Sequence, residues 1–123
     1  ALSRGATTCD FVDASPQAFA IVRENCRAAR VEMKSKLHNC DAFAFLSAAR
    51  GPFDLVLLDP PYGHGTLARV LPGLSRVVAP GGVVLCESER EADLPETAGE
   101  LVRARQYAYG KVLVTRYEKP RPE

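Results

Sequence analysis

Residues 53–59, "FDLVLLD", decide the fold because they form a nearly continuous apolar run that ends on an acid. Such a run is typical of a parallel strand buried on both faces, since a half-exposed strand would alternate apolar and polar side chains. Two consecutive prolines follow, and neither can donate a backbone hydrogen bond to a strand ladder. The sequence therefore predicts a buried parallel strand that stops at Asp59.

Strand and helix patterns alternate upstream of that run. Residues 7–13 have the pattern of a strand, and Ser15 and Pro16 then offer an N-cap and a first helical residue. Residues 33–40 form a weaker strand pattern, after which Asp41 can cap a short helix. The upstream half is therefore predicted to be built from strand–helix units.

The same alternation continues downstream and then changes. Residues 67–78 carry an apolar stripe at helical spacing, and residues 81–87 predict another buried strand. The acidic stretch 87–100 has the composition of a loop or a short helix. Within residues 101–118, two strand patterns flank a two-residue link that begins with Gly110, which predicts an antiparallel hairpin.

These patterns predict one α/β domain over residues 1–123, with a doubly wound, mostly parallel sheet that ends in an antiparallel C-terminal hairpin. In such sheets, ligands bind beyond the carboxyl ends of the strands. Asp13, Asp41 and Asp59 end predicted strands or lie just after them. These three acids are therefore the first candidates for a functional site.

Composition limits the class of protein. The net charge of +1 argues against a dedicated electrostatic nucleic-acid binder, although six basic residues concentrate late in the chain. No apolar run reaches the roughly 20 residues of a membrane span, and the first residues do not have the pattern of a signal peptide, so a cytoplasmic location without membrane contact is expected. The late basic residues are Arg103, Arg105, Lys111, Arg116, Lys119 and Arg121.

The four cysteines are widely separated and form no C-x-x-C pair. We expect four buried free thiols rather than a disulfide framework, and no metal site. The cysteines are Cys9, Cys26, Cys40 and Cys86.

Five motifs in a fixed order resemble those of a Rossmann-like S-adenosyl-L-methionine-dependent methyltransferase. The resemblance covers nearly the whole chain and is closest to the bacterial family that methylates the exocyclic amine of a guanine in small-subunit ribosomal RNA. "DPPY" alone marks the broader class of amino-methylating enzymes, whereas "ALSRGA" (1–6) and the late "YGK" narrow the resemblance to the guanine family. The five motifs are "FVDAS" (11–15), "CDAFAFL" (40–46), "FDLVLLDPPY" (53–62), "APGGVVLCE" (79–87) and "YGKVLVTRYE" (109–118).

The chemistry of residues 59–62 suits amine methylation independently of the resemblance. An aromatic exocyclic amine is a poor nucleophile because its lone pair is delocalised into the ring. The Asp59 carboxylate and the Pro60 carbonyl can each accept one N–H and orient that lone pair, and Pro61 restricts the backbone of Pro60. The Tyr62 ring can stack on the unstacked base. The plainer interpretation is a proline-rich turn that only ends a strand.

Two further pairs of residues are predicted to bind the cofactor. An acid after the second strand of a dinucleotide-binding fold accepts hydrogen bonds from ribose hydroxyls, and Asp13, with Ala14, has that place. The resemblance implies that Asp41, with Ala42, contacts the adenine amine, although Asp41 also has a structural use as a helix N-cap. His64 either lines the substrate pocket or has no role in the site.

The start of the chain departs from the family. The ribose acid normally follows a glycine-rich turn by about 20 residues, but only 12 residues precede Asp13. The resemblance therefore implies an N-terminally truncated chain in which the first strand and the glycine-rich loop are missing. We expect the resulting gap to be closed by direct pairing of the strands ending at Asp13 and Asp59, by another chain, which includes self-association through the exposed edges, or by upstream residues missing from this sequence.

Three functions follow from these residues. The first is methylation of a guanine amine in ribosomal RNA or in an assembling small ribosomal subunit. The second keeps the chemistry but acts on adenine in DNA or RNA, and the third is a non-catalytic fragment or interaction module. A nicotinamide-dependent oxidoreductase is disfavoured because Gly63 and Gly65 lack a third glycine at the fingerprint spacing.

Overall fold

The computed structural model describes residues 8–12, 15–49, 51–58, 66–90 and 92–121. These residues divide into two compact units, 1–48 and 49–123. Each unit has its own sheet, and each is described by itself. A single domain over residues 1–123 stays a prediction.

The first unit is a strand–helix–strand–helix segment around a two-stranded parallel sheet. Strands β1 and β2 pair in register, with Val12 opposite His38. A short 3₁₀ turn precedes β2. The elements are β1 (Cys9–Val12), α1 (Pro16–Ala28), β2 (Ser35–His38) and α2 (Ala42–Ala48).

Both helices of the first unit begin at the predicted caps. The Ser15 hydroxyl accepts a hydrogen bond from the backbone N–H of Ala18 at 3.3 Å, and Pro16 is the first helical residue. A carboxylate oxygen of Asp41 accepts a hydrogen bond from the backbone N–H of Ala44 at 2.8 Å. Each cap satisfies a backbone donor that the first turn of a helix leaves without an intrahelical partner.

The second unit is a five-stranded sheet with the order β3-β4-β7-β6-β5. Strands β3 and β4 are parallel, and the other neighbouring pairs are antiparallel. The predicted hairpin is confirmed, and Gly110 begins its turn at a φ of 58°, a backbone conformation that favours glycine. The elements are β3 (Phe53–Leu58), α3 (Thr66–Leu74), β4 (Val78–Glu89), β5 (Thr97–Ala98), β6 (Leu101–Tyr109) and β7 (Val112–Glu118).

The core of the second unit contains one face of this sheet and helix α3. Val84 and Cys86 of β4 and Tyr117 of β7 are completely inaccessible to solvent, as is Leu71 of α3. The Tyr117 hydroxyl donates a hydrogen bond to the backbone carbonyl of Pro95 at 2.6 Å. This bond satisfies a buried polar group and ties the loop before β5 to the core.

The prediction that β3 is buried on both faces is wrong. Leu55 and Leu57 are 47% and 65% exposed. They pair with Val83 and Leu85, whereas Val56 pairs with the buried Val84 on the core side of the sheet. An apolar run shows that a strand is suited to burial, but it does not show what covers each face.

Two further expectations need correction. All four cysteines are free, but only Cys26 and Cys86 are buried, whereas Cys9 at the start of β1 and Cys40 after β2 are half-buried. Direct pairing of the strands that precede Asp13 and Asp59 is also wrong, since β1 and β3 belong to different sheets.

Candidate active site at the carboxyl ends of the parallel strands

Most of the predicted site residues lie outside the described part of the chain. Asp41 and the backbone position of Ala42 are described, so the structure mainly shows the elements that lead into the site. The predicted residues outside the described ranges are Asp13, Ala14, Asp59, Pro60, Pro61, Tyr62 and His64.

In the first unit, the predicted cofactor acids follow two strands that end at the same edge. Strands β1 and β2 are parallel, and their last residues, Val12 and His38, lie opposite one another. Asp13 follows Val12 directly in the chain, and Asp41 follows His38 by three residues. The chain therefore leaves both strands for its two candidate cofactor acids at the edge where α/β sheets bind ligands.

Asp41 has a structural task that the structure shows directly. One carboxylate oxygen, Oδ1, caps α2 through the N–H of Ala44, and the Asp41 backbone carbonyl accepts a hydrogen bond from the N–H of Phe45 at 3.0 Å. The side chain is exposed, and Oδ2 forms no hydrogen bond within the described ranges. The carboxylate therefore suits a ligand N–H at Oδ2 while it keeps its helix cap.

A contact between β2 and α2 fixes where this cap lies. The ring centroids of His38 and Phe45 are 4.8 Å apart, so the end of β2 packs against the first turn of α2. His38 Nε2 also lies 3.3 Å from Asp10 Oδ2, although these atoms do not have hydrogen-bond geometry. Sequence reasoning missed this cluster, and the signal that could have found it is an acid inside the strand pattern of residues 7–13.

In the second unit, the predicted amine site follows the carboxyl end of β3. Leu58, the last residue of β3, lies opposite Cys86, and the parallel neighbour β4 continues to Glu89. Asp59 follows Leu58 directly in the chain. The strand therefore delivers the chain to its candidate catalytic acid at the ligand-binding edge of the sheet.

The C-terminal hairpin turns at this same edge. Glu89 lies opposite Val112, and Val112 lies opposite Tyr109 on the next strand. The Arg90 backbone N–H donates a hydrogen bond to the Lys111 carbonyl at 3.0 Å, and the Arg90 guanidinium donates another to the Gly110 carbonyl at 3.3 Å. The turn is therefore braced from the end of β4.

Two of the late basic residues, Lys119 and Arg121, lie towards the opposite end of the sheet, whereas Arg116 is opposite Leu85 and level with Leu57. Arg116, Lys119 and Arg121 line a groove of about 440 Å³ beside Gly81, where β4 is near its start. Arg116 pairs with Glu118 at 2.9 Å. The Lys119 ammonium donates a hydrogen bond to the Ser75 carbonyl at 2.8 Å and lies 3.5 Å from a carboxylate oxygen of Glu100. The basic groove is thus largely neutralised by its own partners.

The thiols of Cys86 and Cys9 do not supply a nucleophile. Burial raises the pKa of Cys86 to about 12, and burial is also the main cause that raises the pKa of Cys9. Thiols of this kind stay protonated at neutral pH, and the thiolate is the reactive form.

Two negative findings concern only the part of the chain that the structure describes. It contains no group of three or more histidine, cysteine or acidic residues arranged to hold a metal ion. None of its helices has both the length and the apolar character that crossing a membrane requires.

Comparison with known proteins gives both sequence and structural relatives. The protein described as "Putative rRNA methyltransferase YlbH" from Bacillus subtilis is 34% identical over 97% of this chain and 67% of its own length. A conserved hypothetical protein from Streptococcus pyogenes has a TM-score of 0.90 at 29% identity, over 97% of this chain and 76% of that one. These similarities confirm the α/β fold class.

A more distant structure is described with a ligand. "SMU.776, a putative methyltransferase complexed with SAH" has a TM-score of 0.74 at 12% identity, over 93% of this chain and 40% of that one. At this identity the similarity shows the fold alone.

The family match covers nearly the whole chain. The family described as "Conserved hypothetical protein 95" matches residues 1–118. With the YlbH similarity, this match confirms the resemblance to methyltransferases that the five motifs carry. The chain therefore belongs to the "Conserved hypothetical protein 95" family.

Proposed function

We propose that this protein transfers a methyl group from S-adenosyl-L-methionine to the exocyclic amine of a guanine in small-subunit ribosomal RNA. The observation that carries the proposal is the sequence "DPPY" (59–62), which follows directly on the carboxyl end of parallel strand β3. The name of its relative YlbH supports an RNA substrate. A cytoplasmic location, with free ribosomal RNA or an assembling small subunit as partner, belongs to the same proposal.

The task of residues 59–62 is to orient a weak nucleophile. The Asp59 carboxylate and the Pro60 carbonyl each accept one N–H of the amine, which turns its lone pair out of conjugation with the base. Pro61 restricts the backbone of Pro60, so the acceptors are held in place before the base arrives. The Tyr62 ring stacks on the base once it has left its neighbours in the RNA.

S-adenosyl-L-methionine supplies an electrophilic methyl group when bound. Asp13 and Ala14 are proposed to hold its ribose, and Asp41 and Ala42 its adenine amine. The exposed Oδ2 atom of Asp41 supports this assignment, because the other carboxylate oxygen is occupied by the helix cap. The description of SMU.776 with SAH shows that a protein of this fold binds the demethylated cofactor.

Adenine in DNA or RNA is the second candidate substrate. The same two acceptors suit the exocyclic amine of adenine, and "DPPY" occurs in amino-methylating enzymes of both kinds. A non-catalytic module is the third candidate. These candidates differ in the methylated nucleoside that they produce, or in producing none.

The decisive experiment compares Asp59→Ala with Asp54→Ala. Asp54 is an exposed acid on β3, the strand that precedes Asp59 in the chain, so its substitution is a matched control for the loss of a negative charge. Methyl transfer from tritiated S-adenosyl-L-methionine to small-subunit ribosomal RNA is measured, and the RNA is digested to identify the labelled nucleoside. We expect Asp59→Ala to lose at least about 100-fold in rate, because the amine is no longer oriented, and Asp54→Ala to keep the wild-type rate.

The results separate the three candidates. Labelled methylguanine that depends on Asp59 supports the proposal, whereas labelled methyladenine favours the second candidate. A wild-type protein that neither binds the cofactor nor transfers methyl favours the third. Undiminished transfer by Asp59→Ala would contradict the proposed role of this carboxylate.

A further inference from the structure

We propose that the turn of the C-terminal hairpin binds single-stranded RNA next to the target base. The turn, here called the hairpin tip, consists of Tyr109, Gly110 and Lys111 together with the bracing residue Arg90. This inference rests on the proposed function for the identity of the RNA, but its binding chemistry is argued from the tip itself.

The position of the hairpin tip is the first argument. Tyr109 of β6 and Glu89 of β4 both lie opposite Val112 of β7, so they are at the same level of the sheet. Glu89 comes three residues after Cys86, and Cys86 is opposite Leu58, the last residue of β3. At ordinary strand dimensions the tip lies about 10 Å beyond the end of β3 along the strands and about 14 Å across the sheet. It is therefore on the edge at which the chain enters residues 59–62, within reach of nucleotides that flank the target base.

The exposed side chains of the tip are the second argument. The Tyr109 side chain is 63% exposed, which gives a flat apolar ring at the edge of the sheet. Aromatic rings in this setting bind single-stranded nucleic acid by stacking on its bases. Lys111 is exposed, so its ammonium group can reach a phosphate, and it forms no ion pair within the described ranges. An exposed ring in the same turn as an exposed cation suits single-stranded RNA, which offers bases for stacking and phosphates for charge pairing.

The bracing of the tip is the third argument. Two hydrogen bonds from Arg90 hold the carbonyls of Gly110 and Lys111, and Gly110 adopts the left-handed conformation that a tight turn needs. A turn fixed in this way loses little conformational entropy when it binds a ligand. Arg90 is thus a positioning residue, and its guanidinium adds a second positive charge at the tip.

The basic groove beside Gly81 is the alternative RNA surface. It has more basic residues, but Arg116 and Lys119 are committed to Glu118 and to Ser75 with Glu100. It also extends to Gly81 near the amino end of β4, away from the edge that precedes Asp59, and Arg116, which is opposite Leu85 and level with Leu57, is the basic residue of the groove nearest that edge. Arg121 of this groove is exposed and cationic, which makes it a matched control for Lys111.

The test measures RNA binding directly. Fluorescence anisotropy with a labelled single-stranded RNA of mixed sequence is recorded at several salt concentrations for the wild type, Tyr109→Ala, Tyr109→Phe, Lys111→Ala and Arg121→Ala. Circular dichroism verifies that each variant is folded. Tyr109→Ala is expected to weaken binding about tenfold, and Tyr109→Phe to bind like the wild type because it keeps the ring.

The salt dependence tests the role of Lys111. Lys111→Ala is expected to reduce the slope of log affinity against log salt by about 0.7, the contribution of one phosphate contact in a single strand. Arg121→Ala is expected to leave both the affinity and the slope unchanged. Equal loss in Lys111→Ala and Arg121→Ala, loss only in Arg121→Ala, or tighter binding of duplex than of single-stranded RNA would overturn the inference.

The methyl-transfer assay separates this inference from the proposed function. Variants of the tip should raise the KM for RNA and leave kcat close to the wild-type value, whereas Asp59→Ala should lower kcat. Unchanged RNA binding in the tip variants with methyl transfer intact in the wild type refutes the inference alone. RNA binding that depends on Tyr109 and Lys111, in a protein that transfers no methyl group, refutes the proposed function alone. If Tyr109→Ala does not fold, Lys111→Ala and its salt slope decide the matter.

Discussion

The two compact units differ sharply in how much they bury. Among the described side chains of residues 8–48, only Cys26 is buried. The described part of residues 49–123 contains every other buried side chain, including Leu71 and Tyr117, which are fully inaccessible to solvent. The first unit is held by strand pairing and helix caps, whereas the second also has a packed apolar core.

This difference matters for function because the proposed roles divide along it. Asp13 and Asp41, the proposed cofactor acids, belong to the unit with one buried side chain. Asp59 and the hairpin tip belong to the unit with the core. Local stability increases with the number of buried apolar contacts. We therefore expect the first unit to unfold locally more readily than the second, and to gain more stability from a bound ligand.

The largest expected effect of a substitution on stability comes from truncating a buried side chain in the core of the second unit. Leu71→Ala removes a side chain that is completely inaccessible and should lower the free energy of unfolding by about 3 kcal/mol, from lost burial and from the cavity that remains. Ile21→Ala in the first unit removes a side chain that is 61% exposed and should cost less than about 0.5 kcal/mol. Urea unfolding followed by circular dichroism measures both.

Hydrogen exchange adds a residue-by-residue check of the same comparison. The amides of β1 and β2 are expected to exchange faster than those of β4 and β7. A similar cost for Leu71→Ala and Ile21→Ala, together with equal protection of the two sheets, would break the comparison between the units.

Alkaline pH should also destabilise the second unit, through a buried thiol and a buried phenol that lose their protons on unfolding. Burial raises the pKa of Cys86 from 9.0 to about 12 and is the main cause that raises the pKa of Tyr117 from 10.0 to about 12. Both groups hold their protons more tightly in the folded state than in the unfolded state. Their contribution to the free energy of unfolding is therefore complete below about pH 9 and is lost as the pH rises towards about 12. Each group can lower the free energy of unfolding by up to about 1.4 kcal/mol for each pH unit in this range.

The control for this pH effect is a buried neighbour that does not titrate. Cys86→Ala should flatten the fall in the free energy of unfolding between about pH 9 and about pH 12, measured by urea unfolding at a series of pH values. Val84→Ala lies two residues away on the same buried face of β4 and should destabilise the protein without changing that slope. An unchanged slope in Cys86→Ala would show that the thiol does not couple to unfolding.

Local signals explain which parts of the fold were predictable. Ser15 and Asp41 cap their helices as predicted, because a cap depends only on residues within one turn. The hairpin strands have the predicted limits, 101–109 and 112–118, since Gly110 fixes both the turn and the register. The exposure of Leu57 could not be predicted, because an apolar run does not reveal what covers it.

The strand that leads into the candidate site was predictable from the sequence, but the surroundings of the site were not. The "DPPY" stretch is a local pattern, and the structure confirms that the residue before it ends a parallel strand. The brace from Arg90 to the hairpin turn joins residues 20 positions apart, so it depends on the pairing of β4 with β7. The contact of His38 with Phe45 likewise depends on how α2 packs on β2.

A smaller effect than that of Leu71→Ala is expected at Asp41, where it separates a structural role from a functional one in the less buried unit. Asp41→Ala removes the cap of α2 and should cost about 1 kcal/mol, seen as faster hydrogen exchange in residues 42–48. Asp41→Ser restores a capping oxygen but is too short to place a second acceptor on a ligand. If the carboxylate also binds the adenine amine, calorimetry with S-adenosyl-L-methionine should show about tenfold weaker binding for Asp41→Ser although its helix is protected as in the wild type. Wild-type affinity in Asp41→Ser would limit Asp41 to its helix cap and leave Asp13 as the proposed acid for the cofactor.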